Sequence, residues 1–298
     1  MSIPWLNPLH NTLSQAFSQG KLHHAILLCG KRGVGKAVLA HNIVNALLCE
    51  APNGLYACQR CKACLLQNAG NHPDRMLLSS ENGIGVDEVR EIGDFVVHSA
   101  QQGGRKAVIV EDAQQLTVSA ANALLKTLEE PTKNRYLLLT CTDVSLLPAT
   151  ISSRCFKVNV DVTREQGETW LQENVRKYCS DSWHHLFASQ PLLVSTWLEE
   201  GIDPDVKSLY DWAFGNVSTW PLAEMQRMLS KKADLKDAFC LFLLHRIKRQ
   251  VEKSFDFSTS SEQTYEMSRF AEKLKTISGT NLALSLSLLQ NVFNKPLN

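Results

Sequence analysis

The feature that most restricts how this chain can fold is a short apolar run that turns into a glycine-rich loop and then a helical pattern. Residues 24–30 read HAILLCG. The loop continues through Gly30, Lys31, Arg32, Gly33, Val34, Gly35 and Lys36, after which Leu39, Ala40, Ile43, Val44, Leu47 and Leu48 recur at helical spacing. Phosphate binding needs strand, glycine turn and helix in that order. Glycines let backbone N–H groups turn inward, the helix N-terminus adds positive potential, and a lysine neutralises the outer oxygens. The plain alternative is a glycine turn that only packs, and the flanking strand and helix argue against it. Position 37, where a magnesium-holding hydroxyl belongs, is Ala37, which has no oxygen to offer. The loop of Gly30, Gly33, Gly35, Lys36 and Ala37 therefore keeps the shape for ATP, while Mg²⁺ and turnover at it are doubtful.

The other half of such a site is a buried strand that ends in carboxylates. KAVIVED, residues 106–112, supplies Glu111 and Asp112. Motor proteins place Asp first, for the metal, and Glu second, for the attacking water; here the order is reversed. A Glu-Asp pair after a strand also suits a solvated, helix-capping turn, and the sequence leaves both readings open. YLLLTCT and CFKVNV add further apolar runs, so residues 21–157 alternate strands and helices in the manner of a parallel sheet wrapped by helices. From Thr163 onward the patterns are helical, including LKDAFCLFLLHRIKRQVEK and GTNLALSLSLLQNVFNK, with EKSFDFSTSSEQT as the loop before the last helices. The expected division is an α/β nucleotide-fold domain over 1–160, a small helical module over 161–205 and a helical domain over 206–298.

Between the first helix and the next strand lies CEAPNGLYACQRCKAC, with Cys49, Cys58, Cys61 and Cys64. Four soft ligands, three of them in a C-x2-C-x2-C run, can close the tetrahedron that structural Zn²⁺ prefers. An iron–sulfur run would need a further cysteine followed by proline, and Asn68 and Ala69 stand there instead. Such a zinc pins a loop that has little core of its own, so its role is folding. Cys29, Cys141, Cys155, Cys179 and Cys240 lie apart and are expected to be packed thiols.

The formal charge is +1, which argues against a large basic face that binds nucleic acid unaided and leaves open a role shared with partners. No apolar run approaches the roughly 18 residues of a membrane span, and MSIPWLNPLHNTL lacks a basic start followed by an apolar core, so a cytoplasmic protein is expected.

SAANALLKTLEEPTKN, residues 119–134, reads as an amphipathic helix that stops at Glu130 because Pro131 cannot continue it. It closely resembles the helix after the second nucleotide motif in the clamp-loader subunits of bacterial DNA polymerase III. The match extends through LLLTCTD, LPATISSRC, the four-cysteine insert and LHHAILLCG. The combination looks most like the delta-prime type, the stator beside the motor subunits. The resemblance implies an AAA+ fold with a RecA-like domain, a three-helix lid and a helical collar. It implies partnership with gamma/tau and delta subunits, the sliding clamp and primer-template DNA, and no membrane. It places a catalytic arginine, acting in trans on a neighbour's ATP, at Arg154, and a sensor hydroxyl at Thr142. The lid arginine of the motors falls on Pro191, Leu192 and Leu193, so no strong ATPase is expected of this chain. Two rivals are a self-sufficient ATPase of the gamma/tau motor type and a zinc-dependent nucleic-acid binder using RCKAC and HRIKRQVEK. The latter basic run also suits a solvated helix face.

Overall fold

A computed structural model of the chain describes residues 3–80, 83–130, 132–179, 183–214, 221–253 and 286. Two compact units result: Met1–Arg176 with Ala188–Leu193, and the described residues of Lys177–Phe187 and from Val194 onward. In the first unit, β1 (Ala25–Cys29), β2 (Arg75–Leu78), β3 (Lys106–Val110), β4 (Arg135–Cys141) and β5 (Phe156–Asn159) form one parallel sheet in the order β2-β3-β4-β1-β5. Every residue of β1 and β3 is buried, because helices cover both faces of a parallel sheet, and this is why those strands read as continuous apolar runs. Full burial of one such side chain, Leu27 for example, contributes about 1.5–3 kcal/mol.

β2 is the strand that sequence patterning does not reveal. It has four residues, RMLL, sits on the sheet edge and is only partly buried, so neither alternation nor a long apolar run marks it. The covering helices are α1 (Asn7–Ser18), α2 (Lys36–Leu48), α3 (Lys62–Asn68), α4 (Val86–Val97), α5 (Val118–Glu129), α6 (Ala149–Ser152) and α7 (Arg164–Asn174). α5 begins where Thr117 Oγ1 accepts the Ala120 N–H at 3.2 Å. α7 begins with a capping box, in which the Thr163 and Gln166 side chains each accept the other's backbone N–H. The core between α4, α5 and the sheet is built from Val89, Ile92, Val108, Leu124, Leu128 and Leu139.

The second unit is helical among its described residues. Its elements are α8 (His184–Phe187), the part of α9 (Pro191–Glu200) from Val194 on, α10 (Asp203–Phe214), α11 (Leu222–Lys231) and α12 (Ala233–Lys253). Its centre is aromatic. Phe187 packs edge-on to Trp197 at 4.9 Å and to Phe242 at 5.6 Å between ring centres, and Tyr210 meets Phe242 at 5.3 Å. The runs GTNLALSLSLLQNVFNK and EKSFDFSTSSEQT fall almost entirely outside the described residues. Among the described residues, no helix is long and apolar enough to cross a membrane.

Candidate functional site

The glycine loop leaves the C-terminal end of β1, which lies between β4 and β5 in the sheet. Ligands of such sheets bind outside the carboxyl ends of the strands, at the point where strand order reverses. Gly30 has φ +153° and Gly33 φ +72°; a Cβ at Gly30 would come within 2.2 Å of Val160 O, and one at Gly33 within 2.6 Å of the Leu193 backbone nitrogen. These two positions admit only glycine. Gly35 caps α2. The cleft beside the loop is lined by Gly33, Gly35, Lys36, Ala37, Glu111, Asp112, Thr140 and Leu192 among others.

Lys36 does not reach into that cleft for a partner. Its ammonium donates to Gly30 O at 2.7 Å and to Lys31 O at 2.8 Å, closing the loop on itself. It is buried, and burial lowers its pKa below the ordinary lysine value, with Asp112 partly opposing. The segment at the start of α9 closes on the same loop: Leu192 N–H donates to Gly33 O at 3.0 Å. On the other side Trp5 Nε1 donates to Val34 O at 2.8 Å.

Glu111 and Asp112 follow β3 at the same end of the sheet, and both are half-buried; Asp112 stands at the N-cap of the 3-10 turn Ala113–Gln115 without a side-chain capping bond. Glu111 Oε1 accepts from His41 Nε2 at 3.1 Å. Arg75 Nη2 donates to His41 Nδ1, so the ring proton sits on Nε2 and is directed at the carboxylate. The Asp112 N–H donates to Thr140 Oγ1 at 2.9 Å, and the Gln114 amide donates to Asp112 Oδ1 at 3.0 Å. The strand-end hydroxyl that lines the cleft is therefore Thr140. Thr142 lies past the end of β4, and its N–H is held by Gln114 Oε1 at 3.3 Å. His41, Arg75 and Thr140 carry no motif, and only the packing of α2, β2 and β4 around β3 brings them to Glu111 and Asp112; Gln114 is a neighbour in the chain.

Arg154 lies elsewhere. It follows α6 and precedes β5, where Phe156 is level with Ile26 of β1. Gly30 lies four residues beyond Ile26, about 13 Å along the strand direction at about 3.3 Å per residue, and Arg154 stands on the other side of Phe156, before the strand begins. Its side chain is 37% exposed; Nη2 pairs with Glu129 Oε1 at 2.5 Å, and Nη1 donates to Thr150 O at 3.0 Å and Ser153 Oγ at 3.4 Å.

Cys49, Cys58, Cys61 and Cys64 converge, with all sulfurs within 4.8 Å of one another. Cys49 Sγ lies 3.8 Å from Cys61 Sγ, which matches the edge of about 3.8 Å that a tetrahedron with 2.3 Å metal–sulfur bonds requires. Backbone N–H groups already serve the sulfurs: Cys58 N–H donates to Cys49 Sγ at 3.3 Å and Cys64 N–H to Cys61 Sγ at 3.4 Å. The N–H groups of Arg60 and Cys61 hold the half-buried Cys58 thiol down to about 6, whereas burial pushes Cys64 up to about 12. Four sulfurs at this spacing, with hydrogen bonds suited to thiolates, fit a metal ion. The loop is anchored on α1, where Leu55 N–H donates to Ser14 Oγ at 2.9 Å and Tyr56 Oη to Asn11 Oδ1 at 2.6 Å. Of the remaining cysteines, Cys29, Cys141, Cys155 and Cys240 are buried as expected, and Cys179 is exposed, contrary to expectation.

Comparison with known proteins agrees with this fold. A family model described as DNA polymerase III, delta subunit, matches residues 6–163. A DNA polymerase III subunit delta′ of Haemophilus influenzae is 34% identical over 95% of this chain and 94% of its own length. The subunit delta′ of Escherichia coli is 40% identical over 58% of this chain and 53% of its own length. That of Pseudomonas aeruginosa is 46% identical, over 51% and 46% respectively. A solved gamma subunit-related protein of DNA polymerase III from Thermotoga maritima shares the fold at a TM-score of 0.54 and 18% identity, covering 96% of this chain and 98% of that one.

Proposed function

Because the chain belongs to the family of DNA polymerase III delta′ subunits, we propose that it is the stator of a bacterial clamp loader and promotes hydrolysis of ATP held by a neighbouring subunit. The observation that carries this reading is the separation of Arg154 from its own phosphate loop. Arg154 precedes β5 at the end of the sheet away from the loop, on the far side of Phe156, which is itself about 13 Å short of Gly30 at about 3.3 Å per strand residue; this supports a role for the guanidinium on a neighbour's site rather than its own. There a permanent charge that forks onto phosphate oxygens stabilises the transferring phosphoryl group, an effect of about 10³–10⁵ in rate for a trans arginine.

The own site supports the same division of labour. Lys36 is committed to Gly30 O and Lys31 O, Ala37 offers the metal no oxygen, and Glu111 is held by His41. This donor set does not fit a magnesium-bound triphosphate awaiting attack. The four-cysteine loop takes Zn²⁺ as a structural ion, consistent with its all-sulfur ligand set. The partners are the gamma/tau and delta subunits, joined through a helical collar over 206–298 beyond a lid over 161–205. With them the chain holds the sliding clamp for loading onto primer-template DNA in the cytoplasm.

The test is reconstitution with gamma/tau and delta subunits. The assembly's DNA-stimulated ATPase is expected to fall sharply with Arg154→Ala, while the isolated chain hydrolyses no ATP. Unchanged ATPase in the Arg154→Ala assembly would refute the trans role. Turnover by the isolated chain that disappears in Lys36→Ala would instead mark a motor subunit.

A further inference from the structure

We propose that Glu129 is a positioning residue for Arg154, an inference that rests on the trans-arginine reading above. Arg154 leaves a short turn after α6, and its long side chain would be free to sample many rotamers on a half-exposed surface. Instead it is braced on two sides. Thr150 O and Ser153 Oγ take Nη1 from within its own turn, and Glu129, the last residue of α5, takes Nη2 from across the fold. A guanidinium carries five N–H donors. These contacts engage three of them, leaving two for phosphate oxygens, so the brace need not be surrendered when a neighbour's nucleotide arrives.

The anchor is rigid. The His24 imidazole meets Leu128 O at 3.0 Å, tying the C-terminal turn of α5 to the residue that enters β1. Buried Leu128 fixes the same turn in the core. Glu129 thus refers the arginine to the sheet itself rather than to its own turn alone. An arginine held in place loses less freedom when it engages the transition state, so the gain falls on kcat rather than on nucleotide affinity.

The experiment compares Glu129→Ala and Glu129→Gln in the reconstituted loader with Arg154→Ala and with the Glu129→Ala, Arg154→Ala double variant. Glu129→Ala is expected to lower the ATPase kcat about 5- to 20-fold with KM little changed. Glu129→Gln, which keeps an acceptor, is expected to recover part of the loss, and the double variant to be no slower than Arg154→Ala alone. The thermal midpoint of each isolated chain should match the parent, since a half-exposed ion pair adds little to stability. Wild-type kcat in Glu129→Ala, given a slow Arg154→Ala, overturns the proposal, as does a double variant whose losses multiply. If Arg154→Ala itself runs at the parental rate, the trans-arginine reading fails, and the proposal with it.

Discussion

Replacing Lys36 by methionine separates a loop that closes on itself from one that waits for ATP. The methionine stem keeps the packing of a side chain that is only 7% exposed, so the change removes chiefly the ammonium and its two hydrogen bonds. Gly30 O and Lys31 O are left without that donor, each at a cost of about 1–3 kcal/mol when water cannot replace it. The desolvation of the buried ammonium is recovered and offsets part of that loss. The net is a destabilisation of about 2 kcal/mol, or roughly 4–8 °C in Tm for a unit of this size.

The assay is thermal unfolding of the isolated chain with and without Mg-ATP. The parent should unfold at the same temperature in both, whereas a loop that bound Mg-ATP at 100 times its Kd would gain about 2.7 kcal/mol. The pH trend has a definite sign. Because burial lowers the folded pKa of Lys36 below 10.5, the unfolded chain binds that proton more tightly. The parent therefore gains on Lys36→Met as pH rises from the lowered value toward 10.5. An unchanged Tm in Lys36→Met, or an ATP-induced stabilisation of the parent that Lys36→Met abolishes, would refute the reasoning.

Two further outcomes follow. Gly33→Ala forces a Cβ to 2.6 Å from the Leu193 backbone at φ +72°, whereas Gly70→Ala meets nothing within 4 Å at φ +74°. Chemical denaturation should show Gly33→Ala losing about 2–4 kcal/mol and Gly70→Ala about 1–2, the latter being left-handed strain alone; equal losses would show that the Leu193 backbone does not press on the loop. Strong chelation should release about one zinc per chain, by metal analysis, and expose the loop around Leu55 to proteolysis. Iron in place of zinc, or a loop equally resistant before and after chelation, would count against a structural zinc.

Much of this protein could be read locally. The glycine loop, the cysteine spacing and the apolar runs of β1, β3, β4 and β5 each lie within a few residues of chain. There, covalent spacing dictates which backbone groups turn inward and which sulfurs can meet. Ala37 and the reversed Glu111 and Asp112 were equally visible, because they are departures from a local pattern. The edge strand β2 escaped notice because a four-residue, half-buried segment leaves no period to detect.

What folding alone decided are partnerships between residues far apart in sequence. The packing of α2, β2 and β4 around β3 carries His41, Arg75 and Thr140 to the carboxylates that follow β3. The turn of the loop aims Lys36 at its own carbonyls. The β1–β5 register sets Arg154 at the far end of the sheet beside Glu129. Strand order and register are fixed by how helices cover both faces of the sheet, a property of the whole core. A segment can declare what chemistry it carries, but only the assembled sheet determines which end of the molecule that chemistry serves.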